Sequence, residues 1–402
     1  MIPTRITALA LVGAALLVAP SQLTAQSGYQ VKSAGGTLTI LSPGVYSHFV
    51  APFAASLSSD GSMLVMNLQV DAPGTPSWNA PVYWDRNFGR TDWMVANPPG
   101  TPWGQSAWIL GVTGDGNTGV GIDFNGDGFQ IPLRAGGPWI PLANGYTPTA
   151  AGSGWFTSAG TDNGRQAQLT FSAFQWFGVW QPGGIANLSL PLTGASRLVG
   201  SDSLELLGQG RNLYPVQGGA PVPVEVLPTF RWTPEIADIS GDGLWAAGSS
   251  RSHAVSEAMI WDSKGKGRVI GSIPFSRTSS EATGVSNGAK VVVGNVIEFD
   301  QRLLLFRPIY PLIAQEKDQY RPQSLLGFLY QQGFTAPELA PWNLITAEAV
   351  SADGHVITGR CRPAYITEEL DLEDDTKDLI YILTLPTPLE ILKPRWEGKL
   401  RP

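Results

Sequence analysis

The sequence predicts an all-β protein, and three observations favour this fold class. Gly (47 residues) and Pro (32) are abundant, while charged residues make up 15% and apolar residues 43% of the 402 positions. This balance suits short strands joined by tight turns and is too apolar for a disordered chain. A turn-and-strand decapeptide also recurs along the chain, and an apolar strand that often contains Trp follows most of its copies.

The start of the chain has the pattern of a secretory signal peptide at 1–25. One Arg precedes an apolar run that is too short to cross a bilayer as a helix, and Leu-Thr-Ala ends at Ala25, where we expect cleavage. Because Leu23 is larger than the residue usual at its position, a retained N-terminal anchor is the alternative. We predict a secreted or periplasmic protein, with one repeat domain at 26–386, a tail at 387–402 and no membrane insertion after cleavage.

The recurring decapeptide reads Val-Ser-x-Asp-Gly, then four mostly apolar residues and Gly. Asp-Gly and Asn-Gly favour the positive φ angles of tight turns, and the runs that follow have strand length, so each copy predicts a hairpin. The copies begin 39 to 65 residues apart. They lie at 57–66, 112–121, 160–169, 199–208, 239–248, 285–294 and 350–359.

Apolar partner strands are expected after most copies. They are predicted at 82–85, 178–184, 230–234, 259–262, 304–308 and 381–386. Hairpin pairs cannot bury both faces alone, so such units must stack, either radially as propeller blades or linearly as a solenoid. Seven units suit a closed ring, and we predict a β-propeller of about seven degenerate four-stranded blades. Ring closure needs a strand from each end of the chain, and the candidates are 35–41 and 378–385.

These repeats resemble those of secreted bacterial HAF-repeat proteins, whose units combine a Val-Ser-x-Asp-Gly strand with an Ala-Phe-x-Trp-like strand. The best matches are 230–262 and 349–359, and the resemblance covers 199–386 and is thin over 30–198. No unit carries a literal His-Ala-Phe triplet. The resemblance implies an extracellular protein with a β-propeller-like fold, and it brings no catalytic residues with it.

Two stretches interrupt the repeats. Residues 322–334 have apolar side chains spaced like one face of a short helix, with Gly333 as its stop, so we predict a helical insertion there. The residues of this face are Leu325, Leu326, Phe328 and Leu329. Residues 367–378 contain seven acids and one Lys, which favours a solvated hairpin loop over a cation or partner site.

The sequence Asp-Phe-Asn-Gly-Asp-Gly has the alternating oxygen ligands of a calcium loop. Asp123, Asn125 and Asp127 could turn three oxygens toward one cation. The closing acid of an EF-hand is replaced by Arg134, and that of a shorter integrin-like loop by Ile131. A Gly-rich turn between strands is therefore the favoured interpretation, and weakly bound calcium at these three residues is the alternative. We expect no other cofactor.

Single reactive side chains are interpreted as structural. Ser286 lies in a Gly-x-Ser-x-Gly match, but it occupies the serine position of the repeat, and a strand rather than a helix follows. Cys361 is the only cysteine, so it forms no internal disulfide, and we expect a packed or half-exposed thiol rather than a nucleophile. The histidines are far apart and have no partner at metal-ligand spacing. They are His48, His253 and His355.

Tryptophan is the most suggestive residue type, because nine of the 14 lie within 78–180. Exposed indoles stack on sugar rings, and loops on a rigid scaffold commonly carry binding residues. Those in the predicted strands, Trp84, Trp180, Trp232 and Trp261, are expected to fill the space between blades. The candidates for exposure and ligand contact are Trp93, Trp103, Trp108 and Trp139, although a structural role is the favoured interpretation even for these.

Composition and charge narrow the function. The formal net charge is −7, signal cleavage makes it one unit more negative, and no Lys/Arg cluster is present, so nucleic acid and anionic lipid are poor candidates for partners. We predict a non-enzymatic module that binds a glycan or an extracellular protein, or acts as a scaffold. A purely structural envelope protein is a further possibility.

A polysaccharide-active hydrolase or lyase on the same fold is the main alternative, because no spacing rule in sequence identifies a pair of catalytic carboxylates. A cleft that gathers carboxylates, Tyr or His would favour the enzyme, and flat aromatics with few titratable groups would favour the binding module. Asp115, Asp242 and Asp353 occupy equivalent repeat positions, so we expect them to act in turns rather than in catalysis.

Overall fold

The structure is a computed structural model, and it describes residues 28–43, 47–49, 55–71, 77–88, 94–95, 107–123, 128–135, 140–141, 167–171, 176–181, 184–187, 198–200, 206–215, 219–226, 233–251, 255–271, 279–300, 305–364 and 378–386. Strands dominate these residues, which confirms the all-β prediction. The predicted signal peptide and the tail at 387–402 lie outside the described residues.

The strands are short, as the Gly- and Pro-rich composition predicts. The first eleven are β1 (Tyr29–Ser33), β2 (Gly36–Leu41), β3 (Ser47–Phe49), β4 (Ala55–Leu57), β5 (Met63–Val70), β6 (Trp78–Asp85), β7 (Met94–Val95), β8 (Ala107–Val112), β9 (Thr118–Asp123), β10 (Gly128–Pro132) and β11 (Ile140–Pro141). The next seven are β12 (Ala167–Phe171), β13 (Trp176–Gln181), β14 (Gly184–Asn187), β15 (Leu198–Gly200), β16 (Leu206–Gln209), β17 (Asn212–Pro215) and β18 (Val222–Pro223). The last twelve are β19 (Thr233–Ile239), β20 (Trp245–Arg251), β21 (Ser256–Asp262), β22 (Gly267–Val269), β23 (Ser279–Val285), β24 (Val291–Asp300), β25 (Leu305–Gln315), β26 (Gln323–Ser324), β27 (Trp342–Leu344), β28 (Ala349–Val350), β29 (Val356–Pro363) and β30 (Leu379–Thr384).

The described strands form seven antiparallel sheets, which we number along the chain. Sheet 1 has the order β3-β5-β6-β7, with β4 also paired to β5, and sheet 2 has the order β11-β10-β9-β8. Sheets 3 to 6 are simple meanders of β12 to β14, β15 to β18, β19 to β22 and β23 to β26. Sheet 7 has the order β1-β2-β30-β29-β27, with β28 also paired to β29. Its strands come from both ends of the described chain.

The pairing of β2 with β30 confirms the predicted seam between the chain ends. Thr37 lies opposite Thr384, and the antiparallel register continues to Leu41 opposite Ile380. The inward-facing side chains on this pair, such as Leu38 and Leu383, are fully buried. A strand from near the start of the described chain, β2, and a strand from near its end, β30, are therefore neighbours in one sheet.

The five decapeptide copies whose turns the structure describes fold as the predicted hairpins, and one hydrogen-bond scheme explains their fixed residues. In sheet 5, the Ser240 hydroxyl accepts the N–H of Trp245 at 3.0 Å and donates to the Asp242 carboxylate at 2.6 Å. Gly243 adopts a φ of +67°, which a glycine accommodates at little cost. Ser58, Thr113 and Ser351 make the same two side-chain bonds in their own turns.

The last glycine of the decapeptide is required by a close backbone approach. A Cβ added at Gly294 would lie 2.0 Å from the carbonyl oxygen of Glu281 on the neighbouring strand. The equivalent glycines make the same approach, at 2.0 to 2.1 Å. They are Gly121, Gly248 and Gly359. The contact lies beside a bulge in the first strand of the sheet in sheets 2, 5 and 6.

The residue after this position forms a polar link to the next sheet. Asn67 of sheet 1 accepts the N–H of Ile109 at 2.7 Å and donates to its carbonyl at 2.8 Å, across to sheet 2. Asn295 of sheet 6 accepts the N–H of Ala347, ahead of sheet 7, at 2.8 Å. Both amides are buried, so each link satisfies polar groups that water does not reach.

Apolar clusters fill the space between successive sheets. Separate buried clusters join sheets 4 and 5, 5 and 6, 6 and 7, 7 and 1, and 1 and 2. Trp261 is fully buried between sheets 4 and 5 and Trp84 between sheets 7 and 1, as predicted for strand tryptophans. Trp232 lies outside the described residues. Six of the sheets thus pack in one continuous succession.

The helical insertion is confirmed between β26 and β27. It consists of α1 (Leu325–Gln331) and a short α2 (Ala336–Leu339) that the sequence analysis did not predict. The Ser324 hydroxyl caps α1 by accepting the N–H of Gly327, and Gly333 follows with a φ of +93°. Three of the four predicted face residues are buried against sheets 6 and 7, but Leu326 is 40% exposed. The buried face is therefore narrower than predicted.

Two expectations are wrong in part. Thr233 and Pro234 do not belong to a partner strand of the fourth unit, because they begin β19 of sheet 5, and β17 is the partner within sheet 4. Short apolar strands at the end of one unit and the start of the next have the same pattern. Asp378 is not solvated, because it is 2% exposed and paired with arginines of β29. Residues 367–377 lie outside the described residues.

Candidate functional site

Five decapeptide turns form a hydrogen-bonded row, which we call the rim turns. They comprise residues 58–62, 113–117, 240–244, 286–290 and 351–355. In each turn, the first residue donates its N–H to the carbonyl of the residue five positions later. Because all five turns are closed by the same backbone hydrogen bond, the middle residues of each rim turn lie at the same position relative to the strands of their sheet.

Backbone bonds connect neighbouring rim turns. Asn287 donates its N–H to the carbonyl of Ala352 at 2.7 Å, and Ala352 donates to Ser59 at 2.8 Å. Asp60 then donates to Gly114 at 3.2 Å. The row therefore runs from sheet 6 through sheets 7 and 1 to sheet 2.

Side chains extend the row to sheet 5. The Asn287 amide oxygen accepts the N–H of Asp242 at 2.9 Å, and the Asp242 carboxylate accepts the N–H of Gly288 at 2.7 Å. These two hydrogen bonds compensate for the missing carboxylate in the turn at 286–290, which has Gly in place of the usual Asp. The Asp242 carboxylate thus serves two turns at once.

A cavity with a volume of about 720 Å³ opens beside four of these turns. The described residues that line it all belong to the rim turns of sheets 1, 2, 6 and 7. The lining residues are Ser59, Asp60, Gly114, Asp115, Asn287, Lys290, Ala352, Asp353 and His355. The cavity is therefore polar, and its walls are loops fixed to the ends of strands.

The three carboxylates of the cavity are held by their own turns. One oxygen of Asp353 accepts the Ser351 hydroxyl at 2.5 Å and the N–H of His355 at 2.9 Å. Asp60 and Asp115 each accept the corresponding hydroxyl and a backbone N–H. This agrees with the turn role predicted for Asp115 and Asp353. These bonds also fix the direction of each carboxylate before any ligand arrives.

The charge of the cavity is acidic. Among the described residues that line it, Lys290 supplies the only ammonium, against the carboxylates of Asp60, Asp115 and Asp353. The His355 ring has a buried Nδ1 with no hydrogen-bond partner in the described part of the chain. The site can accept hydrogen bonds from hydroxyls and favours positively charged groups over anions.

The predicted aromatic ligand contacts lie elsewhere. Trp108 lies on β8 with a half-buried side chain, and it is not among the residues of the cavity. Trp93, Trp103 and Trp139 lie outside the described residues. Whether these four indoles lie on one face of the protein therefore stays a prediction.

The predicted calcium loop is described at only one of its ligands. Asp123 ends β9, where its neighbour Ile122 pairs with Trp108 of β8, and Asn125 and Asp127 lie outside the described residues. Within the described ranges, no group of three His, Cys, Asp or Glu side chains is arranged to hold a metal ion. The calcium interpretation stays a prediction.

Arg134, which replaces the closing acid of an EF-hand, has a structural role. Its guanidinium bonds to the buried Asp85 carboxylate at 3.1 Å and to the Asp115 carbonyl at 3.1 Å, and it also contacts the Ser62 hydroxyl. It therefore joins sheet 1 to the rim turn of sheet 2. An acid at this position would place two carboxylates side by side.

The reactive side chains considered from sequence are structural, as predicted. The Ser286 hydroxyl accepts the N–H of Val291 at 2.9 Å in a rim turn, and a strand follows it. Cys361 is fully buried, and burial, with the charge of Asp378, raises the pKa of its thiol well above the ordinary value. Burial likewise raises the pKa of Tyr381, whose hydroxyl donates to the Thr346 carbonyl at 2.8 Å. Neither group is poised as a nucleophile.

Sequence analysis missed the cavity because its lining combines the fixed Asp of the repeat, which was assigned to turns, with residues from variable positions. Ser59, Gly114, Asn287 and Ala352 all occupy the position between the fixed Ser or Thr and the usual Asp. Aligning the copies and examining this column would have identified residues that lie next to one another in space. The column alone does not reveal how wide the space between the turns is.

No model of a known protein family matches the chain, and no curated protein sequence matches it. In the described part of the chain, no helix is long and apolar enough to cross a membrane.

Proposed function

We propose that the seven sheets are the blades of a closed β-propeller in an exported protein of the HAF-repeat type. The support is threefold: each sheet contains strand residues of one decapeptide copy, six sheets pack in continuous succession, and strands from both ends of the described chain share sheet 7. Sheet 3 would occupy the remaining place between sheets 2 and 4. Under this arrangement the rim turns surround one opening of the central channel.

The function we propose is binding of a glycan or an extracellular protein at the cavity between the rim turns. The observation that carries this proposal is the row of backbone bonds that fixes the turns relative to one another. A cavity whose walls are already ordered loses little entropy when a ligand binds. Its carboxylate, amide and ammonium groups suit the hydroxyls of a sugar or the polar side chains of a protein.

An enzyme that acts on polysaccharides is the second candidate, and one observation favours it. The cavity gathers three carboxylates and a histidine, which is the kind of cleft that hydrolysis requires. Against it, each carboxylate already accepts a hydroxyl and a backbone N–H within its turn. A catalytic carboxylate must reach the substrate, and these bonds hold each carboxylate within its own turn. We therefore rank binding first.

The test is a glycan and polysaccharide array probed with residues 26–402, in calcium-containing and chelator-treated buffers. Each hit is then incubated with the protein and analysed for cleavage. We expect binding without cleavage, and we expect Asp353→Asn to weaken it. Asp262→Asn is the matched control, because Asp262 also accepts backbone N–H groups in a hairpin turn but lies outside the cavity.

The outcomes separate the proposals. Cleavage of a bound glycan would establish the enzyme, and loss of binding under chelator would support the predicted calcium loop. A blank array would leave a protein partner or a structural envelope role. Equal loss of binding in both variants would place the binding surface outside the cavity.

A further inference from the structure

The described chain ends beside the cavity. Leu385 donates its N–H to the carbonyl of His355 at 2.7 Å, and His355 lines the cavity. Leu385 is buried, whereas Pro386, the last described residue, is exposed. The last described residues of the chain therefore lie beside the rim turn of sheet 7.

This segment has a charge opposite to that of the cavity. It carries four basic side chains and two acidic ones, although the chain as a whole is acidic. The basic residues are Lys393, Arg395, Lys399 and Arg401. The cavity presents three carboxylates and one ammonium, so the two are electrostatically complementary.

The segment also has the necessary reach. Sixteen residues span roughly 50 Å when extended, which greatly exceeds the width of a cavity of 720 Å³. Because one end is attached beside the cavity, the basic side chains have a high effective concentration there. Attachment at this point makes docking possible without a strong interaction at any single residue.

A second acidic region competes for the same segment. Residues 367–377 are rich in acids, and they connect the far ends of β29 and β30. In sequence, residues 367–377 precede β30 (Leu379–Thr384) and residues 387–402 follow it, so the two segments are connected to opposite ends of that strand. The loop is separated from the exit point by roughly 17 Å of strand, whereas the cavity is adjacent to it.

We propose that the segment 387–402 docks in the cavity through its basic side chains and competes there with the external ligand. The docking itself rests on the attachment beside His355 and on the charge complementarity. The competition rests in addition on the proposed function. An external ligand would then displace a segment of the same chain, so that the binding site is self-occupied at low ligand concentration.

The experiment is zero-length cross-linking of the mature chain with a water-soluble carbodiimide, followed by peptide mapping. We expect amide bonds from Lys393 or Lys399 to the cavity carboxylates Asp60, Asp115 or Asp353. The yield should fall strongly at about 1 M salt, where the Debye length is only ~3 Å. No external ligand is present, so this result does not depend on the proposed function.

Charge reversal makes the test specific. Arg395→Glu with Arg401→Glu keeps both lysines available for cross-linking, and we expect the yield to fall by at least about fivefold. Arg321→Glu is the matched control, because Arg321 is an exposed arginine that does not line the cavity. It should leave the yield unchanged.

Cross-links from both lysines to residues 367–377 alone, or an absence of intramolecular cross-links from the segment, would overturn the docking. A yield that is insensitive to the double reversal would also overturn it. If docking holds and the array hit binds the double variant no more tightly than the native chain, the proposed competition is wrong while the docking stands.

Discussion

The two ends of sheet 7 both carry carboxylates, but they use them differently. At the end away from the rim turns, the Asp378 carboxylate is buried and contacts the guanidinium groups of Arg360 and Arg362. At the rim end, the exposed Asp353 accepts a hydroxyl and a backbone N–H and has no ion pair among the described residues. Buried ion pairs hold strands together, whereas hydrogen-bonded exposed carboxylates leave negative charge available to a ligand.

The surroundings of the two carboxylates explain the difference. Arg360 bridges Glu348 at 2.8 Å and Asp378 at 3.1 Å, which links the start of the sheet to its later strands. At the rim end, no arginine is found among the described residues that line the cavity. The first end is therefore expected to govern stability, and the second end ligand binding.

Removing Asp378 should have the largest effect on stability. Asp378→Ala takes away the carboxylate that Arg360 and the buried Arg362 contact, and we expect the free energy of unfolding to fall by about 3–5 kcal/mol. Chemical denaturation measures it. Glu235→Ala is the control, because Glu235 is 54% exposed and lies 3.6 Å from Arg251, so its loss should cost less than about 1 kcal/mol. Equal effects would contradict the distinction between buried and exposed pairs.

In the middle of sheet 7, we expect stability to depend on side-chain volume rather than on side-chain charge. In Gly359→Ala the new Cβ would lie 2.0 Å from the Thr346 carbonyl oxygen, so strands must shift, and we expect a loss of about 1–3 kcal/mol or more. The thermal unfolding midpoint measures it. A midpoint unchanged from the native value would show that the close approach is not a constraint on the repeat.

The rim end should tolerate loss of charge. In Asp353→Asn the amide oxygen can still accept the Ser351 hydroxyl and the His355 N–H, so we expect less than about 1 kcal/mol of destabilisation. The same variant should weaken ligand binding. A large loss of stability, comparable to that of Asp378→Ala, would remove the contrast between the two ends.

The last prediction needs no substitution and concerns the reactivity of Cys361, which lies near the buried end of sheet 7. Because the thiol is fully buried and burial raises its pKa, we expect Ellman's reagent to react roughly a thousandfold more slowly with the native chain than with the denatured chain. Absorbance of the released thiolate measures the rate. Fast labelling of the native chain would show that this end of sheet 7 opens readily.

Sequence alone predicted much of the fold because the repeat has a physical cause at each fixed position. The Ser and Asp of each copy close the turn, and the final Gly allows the close approach to a carbonyl oxygen. The seam between 35–41 and 378–385 followed from the need to pair both ends of a ring of repeats. The assignment of 230–234 failed because the sequence pattern does not show whether a short strand that follows a copy ends its own unit, as β17 does, or begins the next unit, as β19 does.

The site was less predictable because its residues do not differ from turn residues in type. Asp115 and Asp353 were correctly expected to act in turns, but their assembly around a cavity depends on the packing of successive sheets. Lys290 and His355 had no motif to mark them, because each is a single polar residue after a turn. The sequence indicated four tryptophans as candidate ligand contacts instead, and three of the four lie outside the described residues.

The most direct test of the central claim is the dissociation constant of the tightest array ligand for two lysine variants. Lys290 lines the cavity, whereas Lys264 is an equally exposed lysine in the turn between β21 and β22. If the cavity is the binding site, Lys290→Met should change the dissociation constant by at least about tenfold, which corresponds to ~1.4 kcal/mol, and Lys264→Met should leave it unchanged. Equal dissociation constants for both variants and the native chain would contradict the account.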